Sequence, residues 1–308
     1  MDLRQLRSLV TLADAGFSVS QTAERLHLVQ PAVSQHLKQL EEELGVRLFQ
    51  RHGKRLLGLN ETGEQVLRFA RDALAAAGSI VALGRDQTEE DIGVLRIAAT
   101  HTQARYVLPP VIRQFAGEYP GVALEIHQGT PAQLIDMVLR DSVDLAVCTE
   151  GLAEHDALTA VPCYRWNRCL IAPADHPVIS RKPVTLQLLC EYPIITYVLG
   201  FTGRGNLSNA FVCMGLHPKV VLGAADTDVI KTYVREGMGI GIIADMAYQP
   251  QADADLVRRD LGHLFPWEVT KIAYRRDRYL RGFQRRFIDV FRAKTAKLAG
   301  GPPSGQVG

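Results

Sequence analysis

A chain of 308 residues with 47% apolar side chains can bury two or three separate cores, and a net charge of only +2 gives no overall basicity to point to a nucleic acid. No apolar run reaches the roughly eighteen residues of a membrane span, and the first residues lack the apolar core of a signal peptide, so a cytoplasmic protein is expected. The five cysteines, Cys148, Cys163, Cys169, Cys190 and Cys213, form no Cys-x-x-Cys pair and have no regularly spaced histidines beside them. That argues against a zinc or disulfide framework and for buried free thiols, and neither a metal nor a cofactor is expected.

The elements then follow in chain order. Leu3, Leu6, Leu9, Val10, Leu12 and Ala13 recur at helical spacing and predict a first helix closed by Gly16 as a left-handed cap. Ser18 and Gln21 have the spacing of a capping box, which starts a second helix over 19–26 with Ala23 and Leu26 inward. Pro31 suits the first turn of a third helix whose inner side is Ala32, Val33, Leu37 and Leu40. Its outer face presents Gln30, Ser34, Gln35 and Lys38, side chains able to bond base edges and phosphates.

Between Arg47 and Arg55 stand Arg47, Arg51, Lys54, Arg55 and His52 with no acid among them, after Glu41, Glu42 and Glu43. With Gly53 at its turn, this stretch reads as a basic wing beside the third helix. Two helices and a wing in this order make a winged helix-turn-helix, a device that sets one helix into the major groove of duplex DNA. An ordinary three-helix bundle with a solvated polar face is the alternative.

Asn60 can cap a long helix from residue 61, along which Val66, Ala70, Ala73, Ala77, Ile80 and Gly84 step by four and three residues. That is a heptad seam about three heptads long, suited to a dimer helix, or else one further core helix. Residues 88–93 read as a polar hinge.

The first ninety residues resemble the amino-terminal domain of the LysR-type transcriptional regulators. The residues that carry the likeness are Gln30-Pro-Ala-Val-Ser-Gln35, Leu40-Glu-x-Glu-Leu-Gly-Val-x-Leu-Phe-x-Arg51 and Asn60-Glu-Thr-Gly63. Val29 departs from it, standing where that family commonly has a Ser or Thr cap. The resemblance implies a DNA-binding regulator that forms dimers pairing into tetramers, with RNA polymerase as a further partner. The DNA contacts it implies are Gln30, Pro31, Ser34, Gln35, Lys38, Arg51, Lys54 and Arg55.

From residue 94 short apolar runs alternate with amphipathic stretches. Strands are expected over 94–99, 122–127, 145–149, 169–172, 194–197, 220–223 and 240–244, and helices over 103–119, 131–139, 205–214, 227–236 and 280–299. This alternation argues for α/β architecture with mainly parallel sheets, split into two subdomains around a cleft. Hydroxyls recur where strands give way to helices, at Thr100, Thr102, Thr149 and Thr202, with Gln103 beside them. Each alone could be a helix cap, but together they suit a pocket for a small anion or carboxylate. Asp226 and Asp228 fit either helix capping or an amino group of a ligand.

Four effector-domain segments resemble the CysB subgroup of the same family, the activators of sulfur assimilation and cysteine synthesis. They are Thr100-His-Thr-Gln-Ala-Arg-Tyr-Val-Leu-Pro109, Pro162-Cys-Tyr-Arg-Trp-Asn-Arg168, Gly200-Phe-Thr-Gly-Arg204 and Asp226-Thr-Asp-Val-Ile-Lys-Thr-Tyr-Val-Arg235. The resemblance implies a periplasmic-binding-protein-like effector domain that takes acetylserine, sulfate or thiosulfate. The contacts it implies are Thr100, Thr102, Gln103, Thr149, Trp166 and Thr202.

The expected organisation is a winged helix-turn-helix over 1–60, a linker or dimerisation helix and hinge over 61–92, an effector domain of two α/β subdomains over 93–300, and a disordered tail over 301–308. A regulator tuned to another sulfur metabolite or an aliphatic sulfonate is an alternative. A further one is an enzyme acting on a small acid through His101, Asp144, Cys148 and Glu150, although no nucleophile elbow, metal spacing or phosphate-binding glycine loop accompanies them.

Overall fold

The computed structural model describes residues 1–53, 55–88, 91–201, 203–296 and 298, with the backbone alone for Arg55, Gln87 and Thr88. Lys54, the Arg55 side chain, Thr202, hinge residues 89 and 90 and the 301–308 tail therefore lie outside the described residues. The chain divides into two units, Met1–Thr88 with Asp277–Leu280, and the remainder.

In the first unit α1 (Leu3–Asp14), α2 (Val19–Leu26) and α3 (Gln30–Leu44) precede a hairpin of β1 (Phe49–His52) and β2 (Arg55–Leu59), and α4 (Glu61–Thr88) follows. Their ends have local causes. Ser18 Oγ accepts from the Gln21 N–H at 3.4 Å, while the reciprocal capping box forms at Asp2 and Gln5. Gly16 (φ +60°) closes α1, Gly45 (φ +68°) closes α3, and Gly53 (φ +60°) turns the hairpin, all left-handed positions that favour glycine. Asn60 Oδ1 accepts from the Gly63 N–H at 2.8 Å while its amide donates to the Arg47 carbonyl at 2.7 Å, so one side chain starts α4 and ties it to the chain leading into the wing. A Cβ on Gly63 would collide with the Leu48 carbonyl, which explains glycine there. Leu6, Leu9, Leu12, Ala23, Val33, Leu37, Leu40, Leu48, Phe49 and Leu59 form the core. Along α4, Ala70 joins that core with Val66 packed against it, whereas Ile80 is 73% exposed among Phe69, Val81 and Leu83.

The second unit contains two five-stranded sheets. The first runs β4 (Val122–Gln128), β3 (Gly93–Ala99), β5 (Leu145–Cys148), β12 (Glu268–Arg275), β6 (Leu158–Trp166). The second runs β11 (Leu256–Asp260), β7 (Arg168–Pro173), β10 (Ile240–Ala244), β8 (Ile194–Tyr197), β9 (Val220–Ala224). The chain passes from one sheet to the other at Asn167 and returns between Asp260 and Glu268. All seven expected strands form, and β6, β11 and β12 are additional. Each sheet has two parallel and two antiparallel pairings, the antiparallel ones made by β12 in the first sheet and β7 in the second, so the expected mainly parallel sheets are corrected to mixed ones.

The helices of this unit are α5 (Leu108–Glu118), α6 (Pro131–Leu139), the short α7 (Pro177–Ser180) and α8 (Leu186–Cys190), α9 (Arg204–Cys213), α10 (Thr227–Arg235) and α11 (Gly282–Thr295). The helix expected over 103–119 begins with a π-helical turn, Gln103–Val107, before α5. Pro109 and Pro110 lack the N–H groups that would bond the Arg105 and Tyr106 carbonyls in an α-helix, and the Leu108 N–H reaches back five residues to Gln103. The last helix is shorter than the expected 280–299.

Candidate effector site and DNA-reading surface

On the first unit the third helix shows the expected division. Val33, Leu37 and Leu40 are buried and Ala32 is half-buried, while Gln30, Pro31, Ser34, Gln35 and Lys38 are all exposed. Lys38 Nζ stands 3.4 Å from Glu42 one turn on, with both side chains mostly in solvent. Such a pair holds its lysine weakly. Arg51 is more firmly placed. Its guanidinium donates to Glu41 Oε2 at 2.7 Å, and the other Glu41 oxygen accepts from the Leu48 N–H at 2.7 Å, locking the wing to α3. Val29 occupies the cap position of α3 with no side-chain hydrogen bond, as the missing hydroxyl implied.

In the second unit the expected contacts lie at strand ends. Thr100, Thr102 and Gln103 follow β3, Thr149 follows β5, and Trp166 ends β6; all are buried. Their side chains, apart from Thr100 and Thr102, join one hydrogen-bonded chain. Tyr164 O–H donates to Gln103 Oε1 at 2.8 Å, Gln103 Nε2 donates to Thr270 Oγ1 at 3.3 Å, and Trp166 Nε1 donates to Thr149 Oγ1 at 3.3 Å. The Thr149 and Thr270 hydroxyls lie 3.4 Å apart. Amide and indole thus each fill an acceptor site on a hydroxyl, which turns the threonine protons into donors. One can bridge the two oxygens and the other is left to donate elsewhere. Thr102 Oγ1 is buried near the Tyr197 hydroxyl and makes no hydrogen bond of ordinary geometry.

Tyr164, Thr270 and Glu150 were not among the expected contacts. Tyr164 lies in a motif already noted, but Thr270 sits on β12, which the sequence reading did not resolve as a strand. Glu150 follows Thr149, is held in contact with the Gly203 N–H from the facing subdomain, and keeps Oε2 buried and unpartnered. Burial, with Glu268 nearby, raises its carboxyl pKa against the opposing effects of the Gly203 N–H and Arg168. Arg168 and Glu268 form a buried pair at 2.5 Å, with Arg168 also donating to the Gly203 carbonyl at 2.6 Å and Asn206 Nδ2 donating to Glu268 at 3.1 Å. Elsewhere in this unit, Tyr106 O–H donates to Asp228 Oδ1 at 2.6 Å, and Arg105 and His101 approach Asp228 at 3.5 and 3.8 Å. Asp226 Oδ1 accepts from the Val229 N–H at 2.9 Å, so it caps α10. Asp228 is occupied by groups of the protein itself.

The parts of the chain that carry these two arrangements, an exposed polar helix beside a basic wing and a buried donor cluster at the strand ends of the first sheet, match known families. Residues 3–64 match the bacterial regulatory helix-turn-helix proteins of the lysR family, and residues 88–296 match the LysR substrate binding domain. The chain belongs to the LysR family of transcriptional regulators. This regulator is 43% identical over 290 residues to the HTH-type transcriptional regulator CysB of Burkholderia cenocepacia, covering 94% of this chain and 93% of that protein. It is 42% identical over 302 residues to the HTH-type transcriptional regulator SsuR of the same organism, covering 97% and 98%. The crystal structure of the cofactor-binding domain of the Cbl transcriptional regulator matches with a TM-score of 0.65 at 40% identity, covering 67% of this chain and 90% of that one.

The relatives are transcription regulators, and the regulator is not an enzyme. Burial pushes the Cys148 thiol up to about 12, far from a reactive thiolate, and Asp144 accepts from the Arg96 N–H at 2.8 Å. All five cysteines are free. Among the described residues no helix is long and apolar enough to cross a membrane.

Proposed function

We propose that this regulator controls genes of sulfur assimilation and cysteine biosynthesis, and that acetylserine, sulfate or thiosulfate in the cleft between the effector subdomains sets its activity. The buried donor chain around Thr149 and Thr270, with the Thr102 hydroxyl that makes no hydrogen bond of ordinary geometry, is the observation that carries this reading. It supplies hydrogen-bond donors without a net charge, which suits a small oxyanion or a carboxylate held by dipoles. Thr100, Thr102, Gln103, Thr149, Trp166 and Thr202 are the proposed effector contacts. Gln30, Pro31, Ser34, Gln35, Lys38, Arg51, Lys54 and Arg55 are the proposed DNA contacts.

The exposed apolar residues of α4, Phe69, Ile80, Val81 and Leu83, support a dimer helix, and pairing of dimers into a tetramer and contact with RNA polymerase belong to the same proposal. Two recognition helices are needed to read a two-fold pair of half-sites. An effector that binds two quaternary states unequally shifts the DNA-bound arrangement by that difference alone, and a coupling of about 1–3 kcal/mol is typical.

The test is a gel-shift titration of promoter DNA with Thr102→Ala and Thr202→Ala. Both variants should keep basal DNA binding and respond to acetylserine only at higher concentration. An unchanged response in both would remove the pocket assignment.

A further inference from the structure

Glu150 presents a problem that the proposed pocket does not solve. It directly follows Thr149, is half-buried, and has one oxygen on the Gly203 N–H and the other buried without a donor. An ionised carboxylate can only accept hydrogen bonds, so beside a site built of donors it repels an anion unless a proton comes between them. Sulfate brings no such proton, because it has none in the neutral range. A ligand with an amide N–H or an ammonium group brings its own.

Resting on the pocket reading above, we propose that Glu150 is a specificity-determining residue that sorts ligands by whether they carry a hydrogen-bond donor. An inorganic dianion enters together with a proton taken up on Glu150, whereas a ligand bearing an N–H enters against the carboxylate directly. No covalent bond changes. The proton moves from solvent to Oε2, and the acid then donates a hydrogen bond towards the anion. Burial raises the pKa of this carboxyl, which favours the uptake.

The other charged and titratable groups around Glu150 have their own places. Glu268 on β12 opposes its ionisation and is held by Arg168 of β7 and Asn206 of α9. Lys271 of β12 donates to the Thr149 carbonyl at 3.3 Å, and Cys148 of β5 is a buried thiol that donates to the Glu150 carbonyl at 3.2 Å. Arg204 follows Gly203 at the start of α9 and is in contact with the Ser208 hydroxyl. His101, after β3, stands 3.8 Å from Asp228.

Calorimetric titration of the full-length protein with sodium sulfate, in two buffers of different ionisation enthalpy at each pH, tests the proposal. The wild type should take up close to one proton per sulfate above the Glu150 pKa, with affinity falling about tenfold per pH unit there and flattening below it. Acetylserine should bind without that uptake. Glu150→Gln, which keeps the shape and offers a permanent N–H donor, should bind sulfate with no proton uptake and no pH slope.

Sulfate binding without proton uptake in the wild type, or uptake that survives in Glu150→Gln and so belongs to His101 or another group, would overturn the proposal while leaving the pocket intact. No binding of sulfate or acetylserine at any pH would overturn the pocket reading and this inference with it. The wild-type proton count stands whether or not the variant folds.

Discussion

The DNA-reading head and the effector domain use the same few side chains, hydroxyls, amides and cations, on opposite sides of the solvent boundary. On the head Gln30, Ser34, Gln35 and Lys38 all face water. In the effector domain Thr102 and Gln103 are 2% exposed and Thr149 8%. An exposed polar set has no debt to burial, and its contribution to binding comes from displaced counterions and from matching base edges. A buried set must be satisfied before any ligand arrives. The Tyr164–Gln103–Thr270 and Trp166–Thr149 bonds do that here, and Thr102 is the exception. Leaving such a hydroxyl without a well-formed hydrogen bond costs about 1–3 kcal/mol, which a ligand that bonds it recovers.

If burial is what distinguishes the two surfaces, substitutions should cost most where charge is buried. Arg168 and Glu268 are 2% and 7% exposed and in contact, and Arg168 also holds the Gly203 carbonyl. Arg168→Met strands the Glu268 carboxylate, and a loss of about 3–5 kcal/mol in effector-domain stability is expected from urea unfolding. Replacing both, Arg168→Met with Glu268→Met, should recover much of that loss. A single-variant loss below about 1 kcal/mol would show the pair to be better solvated than its burial implies.

The head should respond less in stability and more in binding. Gln35→Ala removes a side chain from the solvent face of α3, so unfolding should be nearly unchanged. Affinity for a cognate promoter should fall by about 1–3 kcal/mol, with relaxed base preference. Arg51→Ala should weaken all sequences alike and lower the salt slope by about one. Because Arg51 also braces the wing through Glu41, Glu41→Gln should give a small part of the same loss with Arg51 intact. Competition binding at two salt concentrations separates these outcomes. An unchanged affinity in Gln35→Ala would remove α3 from the groove.

The same boundary explains what could be read from the amino acids alone. The head was legible because its helices obey apolar periodicity, and because Ser18, Pro31, Gly53 and Asn60 mark their ends by local chemistry. In the effector domain the fully buried strands β5, β8 and β10 stood out as short, mostly apolar runs. β12 did not. Its residues Glu268, Thr270 and Arg275 are buried while Val269 and Tyr274 are only half-buried, so its alternation runs against the usual pattern. Those inward polar groups complete the donor chain and the ion pair, and the strand is hidden by the feature that makes it useful. Glu150 was singled out only as a catalytic candidate, since nothing local announces a carboxyl facing Gly203, more than fifty positions away. The π-turn at Gln103–Val107 had its signal in Pro109 and Pro110, whose lost donors become visible only when the helix hydrogen bonds are followed one by one.

The smallest effect is the most local. Val29 holds the cap backbone geometry of α3 (φ −86°, ψ +147°) without a side-chain oxygen to accept from the first turn, and it is 68% exposed. A hydroxyl at that position needs no rearrangement of the core. Val29→Thr keeps the β-branched shape and adds the acceptor, so the head should gain about 1 kcal/mol. A higher urea midpoint for the head, with the effector-domain transition unmoved, is the expected outcome. Because α3 carries Gln30, Ser34 and Gln35 on its first two turns, fixing its start should also slow dissociation from a cognate site. A gain in stability with slower release would mean that the valine trades helix order for looser DNA binding. A gain in stability with no change in release would confine the cap to folding, and no gain in either would show that solvent already satisfies the first-turn N–H groups.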